Sequence, residues 1–266
     1  MKITVVQPKY YSGKNPDKAI ADFLLKELEK VEKGGLIVLP EYSNAGGLSD
    51  PEKELLALPR GEEMKKTASK IAREKSAYVV INLLEKRDGE IKNSSYLFGT
   101  DGKTKFIYDK IHLPPSEVKL GVAYGNGDCT CELDGIRFGF MTCYDVYYNE
   151  QIEHMAQFNP DIVVIPGYQR GERTDIIRAQ AKLTAFRLNS FIARSSYSMD
   201  DEEHGGCSMI VSPDGIILKD MGIMVGSISA EIDPHFKYMR TAGFGEGLVP
   251  NNEFISAGLR PKVFKK

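Results

Sequence analysis

Cysteine is scarce in this chain of 266 residues. Its four copies, Cys129, Cys131, Cys143 and Cys207, are too few and too scattered to form a disulfide framework, which points to a reducing, cytoplasmic setting. Cys129-x-Cys131 lacks zinc-site spacing and no second Cys or His pair accompanies it, so no metal site is expected. Long apolar runs are missing too. None approaches the roughly 20 residues that a spanning helix needs, so no membrane partner is expected. The chain opens on Lys2-Ile3-Thr4-Val5-Val6-Gln7, with no basic segment followed by an apolar core, so no signal peptide is read. Neither sign of charge dominates: 35 Lys and Arg face 37 Asp and Glu. That balance speaks against a nucleic-acid footprint or a polybasic membrane anchor. Linker-like tracts and internal repeats are also absent, and the expectation is one domain over residues 1–266.

What is present is an alternation of helical and β-rich stretches. Asn15-Pro16 reads as a cap followed by Pro at the first helical position, with Ile20, Phe23, Leu24, Leu28 and Val31 at helical spacing and Gly34-Gly35 as the stop. A second helix is expected from Gly61 to Ser76, carrying Met64, Ala68 and Ile71 on one face. A third is expected directly after Cys143, and a fourth over the Arg- and Ala-rich stretch from Thr174 to Asn189. Between and beyond them lie ten short β-rich runs, from Ile3–Gln7 to Ser227–Ile232. The Asp-Gly pairs at 88–89, 101–102, 134–135 and 214–215 sit between such runs and predict hairpins. Periodicity therefore gives an α/β or α+β domain with mixed sheets. Gly243-Phe244-Gly245-Glu246-Gly247 is glycine-rich but follows no clear strand and opens no helix, so it is not read as a nucleotide cradle, and no cofactor is expected.

Three of these runs end on chemistry. Ile136 to Met141 breaks at Thr142-Cys143 into an amphipathic stretch, and the N–H groups opening a helix there favour a thiolate. Leu36 to Leu39 ends on Pro40-Glu41, and Phe106 to Ile111 carries Lys110 just before a proline-marked turn. A carboxylate can take a thiol proton, and an ammonium can stabilise an oxyanion and draw the thiol pKa down. Taken singly, each has a plain alternative: Glu41 as a solvated carboxylate, Lys110 as a surface lysine, Cys143 as an inert buried thiol.

At these residues the chain resembles the nitrilase, or carbon-nitrogen hydrolase, superfamily. The matching segments are Leu39-Pro40-Glu41, Tyr108-Asp109-Lys110-Ile111-His112-Leu113 and Thr142-Cys143-Tyr144-Asp145 with Glu150. Further matches are Asp161 to Pro166, Gly206-Cys207-Ser208 and Arg260-Pro261. The resemblance implies a four-layer αββα sandwich and a Glu-Lys-Cys triad, with Glu41 as base, Lys110 at the oxyanion and Cys143 as nucleophile. It also implies that Glu117 is the family's second glutamate, positioning the lysine or the substrate amine. His112 becomes a supporting residue, and Asp145 and Glu150 hold the turn. The implied reaction is hydrolysis of a small linear amide or N-carbamoyl amine through an acyl-thioester. The alternatives are a nitrilase or acyl transfer on the same triad, a non-catalytic metabolite-binding relative, and an unrelated Cys143–His112 hydrolase. Tyr42, Tyr144, Tyr147 and Tyr168 are the candidate substrate-binding residues. Tyr147 and Asn149 stand where many relatives carry Arg and Pro, so no branch's substrate carries across. The tail from 237 to 266 is weakly patterned and rich in unassigned apolar residues, which with the resemblance predicts a homodimer or larger assembly.

Overall fold

The computed structural model describes residues 1 to 259, with residues 50 to 58 as backbone only. In chain order the elements begin with β1 (Lys2–Gln7), α1 (Pro16–Leu28), β2 (Leu36–Val38), α2 (Asp50–Lys75), β3 (Tyr78–Arg87), β4 (Glu90–Phe98) and β5 (Thr104–Asp109). There follow α3 (Pro115–Leu120), β6 (Thr130–Leu133), β7 (Ile136–Phe140), a 3-10 turn over Cys143–Tyr147, α4 (Asn149–Ala156), β8 (Ile162–Pro166), α5 (Thr174–Leu188) and β9 (Phe191–Ser195). The last are β10 (Met209–Val211), β11 (Ile217–Asp220), β12 (Gly226–Glu231), β13 (Met239–Thr241), β14 (Leu248–Pro250) and α6 (Asn251–Ala257).

Two six-stranded sheets result, ordered β12-β1-β2-β3-β4-β5 and β11-β10-β9-β8-β7-β6. In each, three consecutive strands are parallel (β1-β2-β3 and β7-β8-β9), flanked on both sides by antiparallel strands. Parallel strands covered on both sides must be apolar on both faces, and the side-chain alternation shows how the layers divide. Ile3 and Val5, Leu36 and Val38, and Val80 join the core shared with Phe138, Phe140 and Val164 of the second sheet. Val6, Ile37, Val79 and Ile81 turn the other way, onto Ile20, Leu24 and Leu28 of α1 and Met64, Ala68 and Ile71 of α2. With α4 and α5 over the second sheet, the order is helix, sheet, sheet, helix, the αββα sandwich that the resemblance implies.

All four Asp-Gly pairs fall between paired antiparallel strands. They join β3 to β4, β4 to β5, β6 to β7 and β10 to β11. The helix expectations need correction at their ends. Asn15 stands at the start of α1, but in a left-handed conformation and without a side-chain cap. That helix stops at Leu28, because the amides of Lys30 and Val31 turn back onto the Glu27 and Leu28 carbonyls. The second helix begins at Asp50, not Gly61, and runs through Pro59. Directly after Cys143 comes a 3-10 turn, and the α-helix starts only at Asn149. Part of the tail, read as unpatterned, forms the β13–β14 hairpin and α6, anchored where Asn251 Nδ2 donates to the Phe186 carbonyl at 2.6 Å. Arg260-Pro261, Val263 and Phe264 lie outside the described residues.

Candidate active site

The strands β2 and β5 run in the same direction in the first sheet, and their ends deliver Glu41 and Lys110 to one edge. The ladder continues one residue past β2, where the Leu39 amide donates to the Val80 carbonyl at 2.9 Å. Past Glu41 the chain turns sharply: Tyr42 has φ 55°, a left-handed conformation that costs a non-glycine residue about 1 kcal/mol or more. That turn is held from both sides. The Tyr42 amide donates to Asn82 Oδ1 at 2.9 Å, and the Tyr197 hydroxyl donates toward the Glu41 and Tyr42 carbonyls at 2.8 and 3.2 Å. Lys110 extends β5, its amide donating to the Asn93 carbonyl at 2.9 Å.

Cys143 arrives from the second sheet. It too is left-handed, with φ 48°, at the point where β7 gives way to the 3-10 turn. Thr142 and Asp145 form a reciprocal capping box around it. Asp145 is the hub, accepting from the Thr142 amide at 2.7 Å, the Tyr108 hydroxyl at 2.6 Å and the His112 amide at 2.9 Å. This turn ties the end of the lysine strand to the cysteine.

The ionisable groups form a tight, buried cluster. Lys110 Nζ lies 2.8 Å from Glu41 Oε1 and 3.1 Å from Glu117 Oε1. Glu41 and Lys110 are each only 1% exposed. Asn93 Nδ2 bridges the two carboxylates, donating to Glu41 Oε1 at 2.8 Å and Glu117 Oε1 at 2.9 Å, and the Tyr42 hydroxyl donates to Glu117 as well. Burying ions costs several kcal/mol each unless charge and hydrogen bonds are returned, and here one ammonium, one amide and one phenol serve two carboxylates. Burial works against the charged Lys110, but Glu41, Cys143 and Glu117 outweigh it and hold its pKa above the usual lysine value. Burial, with Glu41 close by, pushes Glu117 up against the pull of Lys110. Its Oε2 lies 3.0 Å from Lys110 Nζ as an ion pair but accepts no hydrogen bond.

Cys143 corrects one expectation. Burial first, then the Glu41 charge, raise its thiol, and Lys110 and the Tyr168 backbone N–H only partly offset them, so its pKa lies above the ordinary cysteine value. No α-helix begins here to supply the dipole the sequence suggests. Burial and the nearby Glu41 carboxylate thus disfavour the Cys143 thiolate, and chemistry at this sulfur would call for a base.

Glu41, Lys110, Glu117 and Cys143 line one cavity of about 170 Å³, together with Tyr42 and Tyr168. The other two tyrosines are not in its lining. Tyr144 packs edge-on against Tyr147 and Tyr148 at 5.5 and 5.4 Å, and Tyr147 is 45% exposed with its hydroxyl on Glu172. Tyr168 stands edge-on to both Tyr42 and Tyr197, its hydroxyl accepting from the Gly47 amide at 2.9 Å. His112 has both ring nitrogens engaged, with Asp145 at 3.0 Å and Glu150 at 2.9 Å, and its ring stacks on Tyr148 at 3.9 Å. Sequence reasoning missed Asn93, Asn82, Tyr197 and Arg170. The two asparagines carried a signal: each is a poor strand former inside or beside an apolar β run.

Comparison with known proteins agrees with this geometry. The family model for carbon-nitrogen hydrolases matches residues 2–236. A 2-oxoglutaramate amidase from Bacillus subtilis is 25% identical over 218 residues, covering 80% of this chain and 83% of the relative. An (R)-stereoselective amidase from Pseudomonas sp is 29% identical over 194 residues, covering 70% and 69%. Among solved structures, an amidase from Nesterenkonia sp. superposes with a TM-score of 0.76 at 16% identity, covering 99% of this chain and 94% of that one. Saccharomyces cerevisiae Nit3, of the nitrilase superfamily, gives a TM-score of 0.73 at 22% identity, covering 99% and 97%. With a family match across most of its length and this fold beneath it, the chain belongs to the carbon-nitrogen hydrolase family and is an enzyme of that family.

Proposed function

We propose that the enzyme hydrolyses the C–N bond of a small linear amide or N-carbamoyl amine, with Glu41, Lys110 and Cys143 as the reacting groups and Glu117 as their auxiliary. The observation that carries the reading is the meeting of all four side chains on one small cavity. Glu41 accepts the thiol proton as Cys143 Sγ bonds to the carbonyl carbon. The oxyanion is held by the Lys110 ammonium and the Tyr144 backbone N–H, one of the donors that a turn's first residues leave without intrahelical partners. Collapse breaks the C–N bond, Glu41 returns the proton to the departing nitrogen, and a thioester remains. Water then attacks, giving its proton to Glu41, and the carboxylic or carbamic acid leaves as the thiol re-forms. Glu117 Oε2, ion-paired with Lys110 but accepting no hydrogen bond, has a lone pair left for an N–H of the substrate.

An amide ranks above a nitrile because two of the relatives are named as amidases. A Cys-His hydrolase is disfavoured by the two carboxylates that occupy His112. The same reading has the enzyme as one domain over residues 1–266, in a reducing cytoplasm, where four free thiols persist. It also has the tail after residue 237 helping to form a homodimer or larger assembly, since Phe244, Leu248 and Leu259 are exposed there. A monomeric mass at micromolar concentration would count against the assembly. Ammonia release from a panel of small amides, carbamoyl compounds and nitriles tests the reaction. Turnover of amides that vanishes in folded Cys143→Ala is expected; release from nitriles alone, or activity surviving that change, refutes it. Product analysis with added amine separates hydrolysis from acyl transfer.

A further inference from the structure

We infer that Arg194, buried behind the cavity, is a positioning residue for Cys143: it holds the Tyr168 backbone N–H against the sulfur and leaves its own positive charge for the negative charge that develops there. The inference rests on Cys143 as the nucleophile and adds what governs its reactivity from behind. Arg194 lies on β9, only 2% exposed and outside the cavity lining. Among the described residues its guanidinium forms no ion pair and donates to neutral oxygens. Nη1 donates to the Gly206 and Cys207 carbonyls at 2.7 and 2.8 Å, and Nη2 to Gln169 Oε1 at 3.0 Å. Those two carbonyls come from consecutive left-handed residues, Gly206 at φ 59° and Cys207 at φ 56°, a conformation unfavourable for cysteine. Asp220, whose charge reaches Arg194, is itself held by Arg178 at 2.6 Å.

The hydrogen bonds make a clamp. Gln169 follows Tyr168 directly, and its Nε2 donates to Gln180 Oε1 of α5 at 3.2 Å. Gly167, on the other side, donates its amide to the Ser195 carbonyl at 2.7 Å and packs so close that a Cβ there would stand 3.4 Å from Arg194 Nη2. Between these two anchored residues the Tyr168 N–H reaches the Cys143 sulfur, a hydrogen bond that favours the thiolate. A clamp needs only a polar side chain, so it does not account for the charge. Burial costs the cation free energy and pulls the pKa of Arg194 below the usual arginine range, but a guanidinium keeps its proton. With no carboxylate paired to it, its field extends through the low-dielectric interior to Cys143, as well as to Cys207 and Tyr147. Facing the sulfur from other elements are Glu41, Lys110, Tyr42 and Tyr147, and Lys110 already serves two carboxylates. Arg194 is thus the cation whose charge is left over for Cys143.

The test reads the rate at which iodoacetamide alkylates Cys143 at a fixed, mildly alkaline pH, with peptide mass mapping to separate the cysteines, beside ammonia release from a good amide. Arg194→Met removes the charge and the hydrogen bonds but keeps a long unbranched side chain; Arg194→Lys keeps the charge. In Arg194→Met the thiol should ionise about one pH unit higher, which slows alkylation about 3- to 10-fold once the greater nucleophilicity of a more basic thiolate is counted. Arg194→Lys should recover most of that rate. Turnover in Arg194→Met should fall about 10- to 100-fold in kcat with KM little changed. Cys131, which burial alone shifts, is the reference, and its rate should not change in a folded variant. A Cys143 rate in Arg194→Met at or above that of wild type, or slowed equally in Arg194→Lys, overturns the inference. If Arg194→Met does not fold, Gln169→Glu keeps the bond to Arg194 and neutralises the charge in place; it should slow alkylation of Cys143 by a similar factor, and an unchanged rate overturns the inference too. Alkylation needs no substrate, so a protein that cleaves no amide would sink the amidase reading while this inference is still decided.

Discussion

Replacing Glu41 by Gln removes one negative charge from the centre of the site while keeping its shape. The Gln oxygen can still accept from Asn93 and Lys110, which donate to Glu41 Oε1 at 2.8 Å each, and Lys110 keeps its ion pair with Glu117 at 3.0 Å. The fold should therefore survive, and two consequences follow from the loss of charge. The first is kinetic. A positioned general base contributes about 10²- to 10⁴-fold, so kcat/KM on a good amide should fall by that factor, about 3 to 5 kcal/mol of barrier. The second is electrostatic and runs the other way. Glu41 is the largest influence after burial in holding the Cys143 thiol up, while Lys110 pulls it down. Without Glu41 the thiol should ionise at lower pH, by about one to three pH units for one neighbouring charge. The pH profile of iodoacetamide alkylation, measured beside steady-state turnover, reads both. A variant that turns over within tenfold of wild type refutes Glu41 as the base. An alkylation profile that stays put or moves to higher pH refutes the electrostatic account of the thiol.

Asn93 bridges the two carboxylates, so Asn93→Ala should lower kcat by about 10- to 100-fold with a smaller change in KM, as expected when positioning rather than binding is lost. Asn93→Asp would bury a third carboxylate between two others at a cost on the order of 3 kcal/mol or more, seen as a lower urea midpoint. For His112, burial lowers the pKa, but hydrogen bonds and charge from Asp145 and Glu150 outweigh it and the net shift is upward. A raised histidine pKa stabilises the fold fully below about pH 6.5, and the contribution fades as pH rises through the folded value. The stability gap between wild type and His112→Gln should therefore be wider at pH 6 than at pH 9, and a gap that grows with pH would refute the assignment. Phe140, fully buried on the strand that leads to Cys143, packs against Phe106 and Tyr108; Phe140→Ala should cost about 3 to 5 kcal/mol in a denaturant titration.

Where the sequence misleads, local and tertiary signals conflict. The strands of the two parallel cores, such as Tyr78 to Leu84 and Ile162 to Ile165, are legible because burial on both faces demands unbroken apolar runs. The edge strands β6 and β11 are only partly buried and carry no such run, so they pass as loop. The first half of α2 hides behind Pro59, which reads as a helix boundary. Helix α6 is held by contacts with α5 that are distant in sequence, and the tail hairpin packs on α6.

The order of residues determines by itself where the candidate groups leave the strands. Glu41, Lys110 and Cys143 each follow an apolar run that must become a strand, and each strand end fixes where its next side chain emerges. The same local logic settles the hairpins at the four Asp-Gly pairs. What the tertiary structure decides is everything that depends on distance through space. It brings the cysteine of one sheet to the carboxylate and ammonium of the other, encloses them so that burial pushes the thiol pKa up, and recruits Asn93, Tyr197 and Arg170 from segments remote along the chain. It also draws Tyr42 and Tyr168 into the cavity lining while leaving Tyr144 and Tyr147 out of it. The physical reason is that ionisation, burial and pairing are properties of a neighbourhood, and a neighbourhood exists only once the two sheets have packed.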